Sequence, residues 1–179
     1  MKKLILFTAF ALLPYGAYAQ DAIYLSGMLG LGQVDVDGSS VDFDTELTFG
    51  GRAGLLFNDH VSAGIFVMNF STDKTYLGSR YEMSALPIMG EVTYFVNEAD
   101  ENTFWVSGLL GVTGTELKTG AGTIDDSETS VGFSVGYHFM VAPNFSLSPQ
   151  FTYIKVMGDS ATASDASLMA AFANVTFWL

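Results

Sequence analysis

Ala166–Leu179 reads ASLMAAFANVTFWL. Met169, Ala171, Ala173, Val175, Phe177 and Leu179 share one parity and are all apolar, while the other parity sets Asn174 and Thr176 among Phe172 and Trp178. An apolar residue at every second position turns one side of an extended chain toward an apolar medium. The stretch is therefore a strand with one greasy face, and it reaches Leu179 without a polar tail. Taken alone, it suits either the edge of a soluble sheet or a strand immersed in lipid. The rest of the chain separates the two.

Working outward, the same alternation recurs. Period-two runs predict eight strands: Ile23–Val34, Glu46–Phe57, Val61–Phe70, Tyr81–Val96, Thr103–Leu117, Thr129–Phe139, Phe145–Met157 and Ala166–Leu179. In Thr129–Phe139, Val131, Phe133, Val135, Tyr137 and Phe139 oppose Ser130, Gly132, Ser134, Gly136 and His138. In Glu46–Phe57, Leu47, Phe49, Ala53, Leu55 and Phe57 oppose Thr48, Gly50, Arg52 and Gly54. Large apolar residues face one way; small or polar residues face the other.

The connections alternate in kind. Asn58–His60, Asn97–Asn102 and Met140–Asn144 are short, whereas Asp35–Thr45, Ser71–Arg80, Lys118–Glu128 and Gly158–Asp165 are longer and rich in Ser, Thr, Gly and Asp. Short turns on one side and long loops on the other are the sidedness of a transmembrane β-barrel, with turns in the periplasm and loops outside. An even strand count then places both termini in the periplasm.

The amino-terminal residues belong to another structure. Lys2 and Lys3 precede an apolar run, Leu4–Leu13, and an Ala17-Tyr18-Ala19 cleavage pattern, so residues 1–19 read as a signal peptide and 20–179 as the barrel domain. That run is shorter than the roughly 20 residues of a spanning helix. Loss of Lys2 and Lys3 takes the formal net charge from −12 to −14. A chain this acidic has little with which to hold phosphates, which excludes nucleic acid as a partner. With no cysteine, a disulfide scaffold and thiolate metal sites are excluded too.

Charge placement separates a soluble barrel from a membrane one. A lipocalin-like barrel turns its apolar face inward and needs a charged exterior. Here the strand interiors hold Arg52, Glu91 and Lys155 and almost no other charge. A face of Ser, Gly and Thr makes a poor soluble surface but fits the narrow lumen of eight strands. Lys155 lies on the lipid parity near a loop, where it can snorkel to the interface. The expected fold is an all-β, eight-stranded antiparallel up-and-down transmembrane β-barrel.

Together the signal peptide, alternating strands, sided loops and terminal strand resemble the small bacterial outer-membrane barrels of the OmpA transmembrane-domain, OmpX/Ail and opacity-protein type. The closing strand resembles the segment that the barrel assembly machinery reads in such proteins, with Leu179 where Phe is usual. The resemblance implies an outer-membrane location, contact with membrane lipid and lipopolysaccharide, a monomer, and loops available to host or phage surfaces. Tyr24–Leu31 and Trp105–Val112 are also similar to each other, which relates the first and fifth strands.

Four places invite chemistry. Arg52 and Glu91 lie at similar depth above their turns on the inward parity, as do Gln150 and Asn174. An unpaired buried charge is costly, so a lumenal polar layer is expected in which Arg52 and Glu91 pair, supported by Gln150 and Asn174. The resemblance implies a structural or gating role for such a layer. Asp35–Glu46 has the span of an EF-hand loop, but its glycine is displaced to Gly38, Ser39 replaces an acid and no helices flank it. It reads as a solvated acidic loop. His60 and His138 both fall at the turn end, away from outer-leaflet chemistry, and form no Ser-His-acid set, so no enzyme is expected. No cofactor motif is present. Bulk on the inward parity from Met28, Phe66, Trp105, Leu109, Phe172 and Trp178 disfavours a wide pore. The expected role is a structural or surface-interaction barrel with acidic loops and a largely plugged polar lumen. The alternative is a narrow or gated channel of the OmpW type for small or hydrophobic solutes.

Overall fold

Alternation at period two carries through the computed structural model, which describes residues 22–36, 44–76, 79–119, 122–158 and 165–179. The strands are β1 (Ile23–Val36), β2 (Glu46–Asn58), β3 (Val61–Tyr76), β4 (Ser79–Phe95), β5 (Thr103–Thr119), β6 (Gly122–Ala142), β7 (Phe145–Met157) and β8 (Ala166–Trp178). Each pairs antiparallel with its sequence neighbours, and β8 returns to β1 from Tyr24↔Trp178 to Val36↔Ala166, so the sheet closes. The expected fold is the observed one. Closure leaves no free sheet edge within an apolar medium, where an unpaired backbone group has no water to turn to.

Two expected loops are largely strand. β3 and β4 stay paired through Asp73↔Glu82 and Thr75↔Arg80 to Tyr76↔Ser79, and β5 and β6 through Thr115↔Asp126 to Thr119↔Gly122. Composition misleads here because the backbone ladder needs no apolar side chain once the strands rise above the greasy belt. The β-branched Thr113, Thr115, Thr123 and Ile124 suit an extended backbone. Gly122, at φ 150°, starts β6 in a region that residues with a Cβ rarely adopt.

Two prolines mark local breaks. Pairing skips from Val67↔Ile88 to Phe70↔Ala85 around Pro87, and from Gly136↔Gln150 to Phe139↔Leu147 around Pro149. Proline has no N–H to give the ladder, so the interruptions follow from the sequence.

The outer face is apolar on every strand. Leu25, Leu47, Ile65, Val92, Leu110, Phe133, Phe151 and Phe177, one from each of β1 to β8, are all exposed. An apolar belt right around a molecule is far larger than any patch a water-soluble monomer carries. Near the turn end the belt becomes aromatic: Phe104 and Tyr137 stand 4.6 Å apart, Tyr137 and Phe139 4.5 Å, and Phe145 and Phe177 5.2 Å. Such rings suit a membrane interface.

The inward face is layered, which parity alone does not predict. Toward the loop end Val34, Met68, Phe70, Ile154, Val156 and Leu168 are each 2 % exposed or less and share one apolar cluster. Below that cluster come the charged and polar groups. A second cluster closes the turn end, where Phe95, Ala99 and Trp105 are buried against Leu56 and Trp178. The turn half holds the charged and amide groups beside the large rings of Tyr24, Phe95 and Trp105. In the loop half large apolar side chains gather among the buried Thr48, Thr72, Thr113, Glu128 and Ser130.

Candidate functional site

The four sequence-predicted residues meet in one layer of the lumen. Arg52 Nε donates to Glu91 Oε2 at 2.7 Å and Nη2 to Glu91 Oε1 at 2.7 Å, a two-pronged ion pair. Planar guanidinium against planar carboxylate is the strongest arrangement open to such a pair. Arg52 on β2 and Glu91 on β4 are separated by β3, whose inward residue at this level, Gly64, pairs with Gly54 on one side and Glu91 on the other. Gly64 has no side chain to stand beside the Glu91 carboxylate, while the buried Phe66 stands opposite Arg52.

Arg52 also donates from Nη2 to Thr93 Oγ1 at 3.2 Å and from Nη1 to Gln150 Oε1 at 3.5 Å. Asn174 Nδ2 donates to the same Gln150 oxygen, while Gln150 Nε2 donates to Thr152 Oγ1 at 2.6 Å and Ser134 Oγ at 3.3 Å. The chain of bonds thus crosses the lumen from β2 and β4 to β6, β7 and β8. All four residues are buried, Glu91 at 1 % exposure and Arg52 at 9 %. Burial strengthens each bond and makes any missing partner costly.

Sequence reasoning missed the aromatic walls of this layer. The Arg52 guanidinium carbon lies 4.5 Å from the centroid of Trp105 and 5.9 Å from that of Tyr24. A ring face attracts a cation. The signal was present: Tyr24 and Trp105 occupy the same position in the internal repeat, on β1 and β5. Thr93, Thr152 and Ser134 were also missed, because inward Ser and Thr recur too often to single out.

At the turn end a short segment folds beneath the barrel. Ala99 N donates to Asp59 O at 2.8 Å, and Met140 N donates to Asn102 Oδ1 at 2.8 Å. These bonds tie the β4–β5 turn to the β2–β3 turn and to β6, and hold Ala99 in the mouth of the lumen. His138 is buried just inside, its Nδ1 3.1 Å from Ser148 Oγ, with Phe95 and Trp178 edge-on to its ring. His60 sits in the β2–β3 turn, its Nδ1 3.1 Å from the carbonyls of Phe95 and Asn97. The two histidines thus have separate structural settings.

At the loop end Lys155 Nζ meets Asp165 Oδ2 at 3.1 Å, and Gly158 N donates to Asp165 Oδ1 at 3.3 Å. The lysine expected to snorkel therefore has a carboxylate at its tip. Its hydrogen bond to Asp165 is the main cause holding that carboxyl below the usual carboxylate range. Of the acidic first loop, Asp37 and Asp42 lie outside the described residues, as does the expected signal peptide. Among the described residues no three His, Asp or Glu side chains are placed to hold a metal ion.

The sequence matches the outer membrane protein beta-barrel domain family over residues 4–172. The chain belongs to this family. It is an outer-membrane β-barrel protein, and its apolar belt is the lipid-facing surface. Neisserial surface protein A is similar in structure at a TM-score of 0.70 and 15% identity, over 87% of this chain and 97% of that one. OprG of Pseudomonas aeruginosa gives a TM-score of 0.55 at 15% identity, over 92% and 98%. Ail of Yersinia pestis, solved with the heparin analogue sucrose octasulfate, gives 0.54 at 15% identity, over 88% and 99%. No curated protein sequence matches the chain.

Proposed function

We propose that the protein is a non-enzymatic, non-conducting barrel that anchors acidic loops at the cell surface. The observation that carries this reading is the apolar packing of the loop half of the lumen, where Phe70, Met68, Ile154 and Val156 are all but inaccessible. Large apolar side chains closed against one another offer an ion little to replace its hydration. Arg52, Glu91, Gln150 and Asn174 then serve as a structural cross-brace beneath that core. In this reading the turns and both termini face the periplasm, and the strand extensions of β3 to β6 stand above the outer leaflet.

Surface contacts follow from charge. Asp125 and Asp126 are exposed on the β6 extension, and Glu116 faces Asp125 across the β5–β6 ladder. An acidic surface of this kind does not suit a polyanion such as a sulfated sugar. It suits basic segments of host or phage proteins, and divalent cations shared with lipopolysaccharide. The terminal strand, Ala166 to Leu179, would be read by the barrel assembly machinery during insertion, and a closed barrel of this size works as a monomer.

A gated path for small solutes is the second reading, favoured by the small cavity below Arg52. Planar-bilayer recording tests both. We expect no reproducible single-channel steps from the native protein or from Glu91→Ala. Steps from the native protein would overturn the plugged reading, and steps from the variant alone would make the pair a gate.

A further inference from the structure

Beneath the charge layer the lumen holds a small chamber that the cross-brace does not explain. Arg52 forms its roof, Trp178 and the rings near the β4–β5 turn its floor, and Tyr24 and His138 its sides. Trp178 brings the walls together: its ring centroid is 5.6 Å from Tyr24 and 5.5 Å from His138. The space open to the centre of a water-sized sphere is about 10 Å³, which is room for about one water molecule.

Two polar atoms of its walls, His138 Nε2 and Trp178 Nε1, have no hydrogen-bond partner in the protein, although His138 is 3 % exposed; the Tyr24 hydroxyl, at the other side, is turned toward Arg52 and Ser62. Buried polar atoms without partners are rare, because each forfeits its bond to water and gains nothing in return. The other unpartnered buried side-chain atoms among the described residues follow the same division. Those of Ser62, Ser107, Ser146 and Asn174 lie in the turn half, and Thr72 alone lies toward the loops.

We propose that this chamber is a binding site for water, held in common by Trp178 and His138, with Tyr24 in its wall. The donor–acceptor chemistry selects the ligand. Trp178 Nε1–H can only donate, so the ligand must accept. His138 engages Ser148 through Nδ1, so its Nε2 accepts when Nδ1 carries the proton and donates when Ser148 donates to Nδ1; only a ligand with both capacities serves either tautomer. A halide accepts but cannot donate, and ammonium donates but cannot accept. The charge agrees, since Arg52 is already matched by Glu91 and the chamber has no net positive charge to hold an anion. A neutral ligand of one heavy atom with both capacities is water. The apolar core above closes the chamber toward the loops, so it exchanges with solvent at the turn end, past Ala99.

The test is water–protein cross-relaxation by NMR on the isotope-labelled protein in lipid nanodiscs, with potassium chloride as the competing probe. The expected result is a cross-peak between water and the Trp178 indole N–H, with the sign of a long-resident water. The methyl groups of Met68 and Ile154 should show none. A Trp178 indole with no water cross-peak overturns the proposal, and so does a saturable shift of that proton with chloride, which would mark an anion site. His138→Phe removes the imidazole partner; loss of the cross-peak in that variant supports the assignment, and its persistence in a folded variant overturns the role given to His138. If that variant does not fold, the native cross-peak and the chloride titration decide.

Discussion

Removing Glu91 leaves a guanidinium at 9 % exposure with no countercharge, and the cost can be worked from the geometry. The two contacts of 2.7 Å put the charge centres roughly 4 Å apart, which at an effective dielectric constant of about 20 corresponds to about 4 kcal/mol. Breaking a buried pair from one side costs about 3–5 kcal/mol in general, so the two routes agree. Glu91→Gln keeps the volume and one acceptor and should cost about 3 kcal/mol; Glu91→Ala adds a void and should approach about 5 kcal/mol.

The informative variant is the double one. Arg52→Met with Glu91→Leu removes both charges and extends the apolar packing of Phe66 and Met89. Gln150 loses its long contact to Arg52 but keeps Asn174 and Thr152 as partners, and Thr93 loses one bond, a debit of about 1 kcal/mol. The double variant should therefore lie within about 1 kcal/mol of the native protein or above it. Urea unfolding in lipid vesicles measures these differences, read by tryptophan emission, since Trp105 stands 4.5 Å from the guanidinium. A single variant costing less than about 1 kcal/mol, or a double variant costing the sum of the singles, would refute a coupled buried pair.

Further tests address packing, membrane depth and pH. A Cβ at Gly136 would fall 2.5 Å from the Trp105 ring and 2.7 Å from Pro149 O, whereas one at Gly108 meets nothing within 4 Å. By the same unfolding assay Gly136→Ala should cost about 1–3 kcal/mol and Gly108→Ala should stay within about 0.5 kcal/mol of native. Leu110→Arg, in the middle of the apolar belt, should cost about 2–4 kcal/mol in vesicles, against less than about 0.5 kcal/mol for Ile124→Arg on the β6 extension. Equal costs would misplace the membrane. Asp165 has a lowered folded pKa, so its pairing with Lys155 adds stability above the unfolded aspartate value, near pH 4, and loses it as pH falls through the folded value. A carbon-detected titration should show the Asp165 midpoint rising toward the ordinary value in Lys155→Met; no change would mean that the ammonium is not the cause.

How far the sequence could be read follows from what alternation encodes. Parity fixes which side of the sheet a residue faces, so the lipid belt and the inward positions of Arg52, Glu91, Gln150 and Asn174 were legible. Depth was legible only where a turn supplied an origin: Arg52 and Glu91 count similar distances from Asn58 and Asn97, and they meet. Strand ends were not legible, because Asp73–Lys74 and Asp125–Asp126 continue the ladder with side chains that composition assigns to loops. The layering of the lumen lay beyond parity for a related reason. Met68, Phe70 and Ile154 share an inward parity with Arg52 and Gln150, and only the register between strands gathers the apolar ones toward the loops. Register thus does in a barrel what a crossing angle does among helices, and it decides whether inward polar residues meet a partner or a void. The aromatic pair at Tyr24 and Trp105 shows the consequence. Their repeat relates β1 to β5, which flank β2 and β4 in the sheet order, and both rings stand against the Arg52 guanidinium.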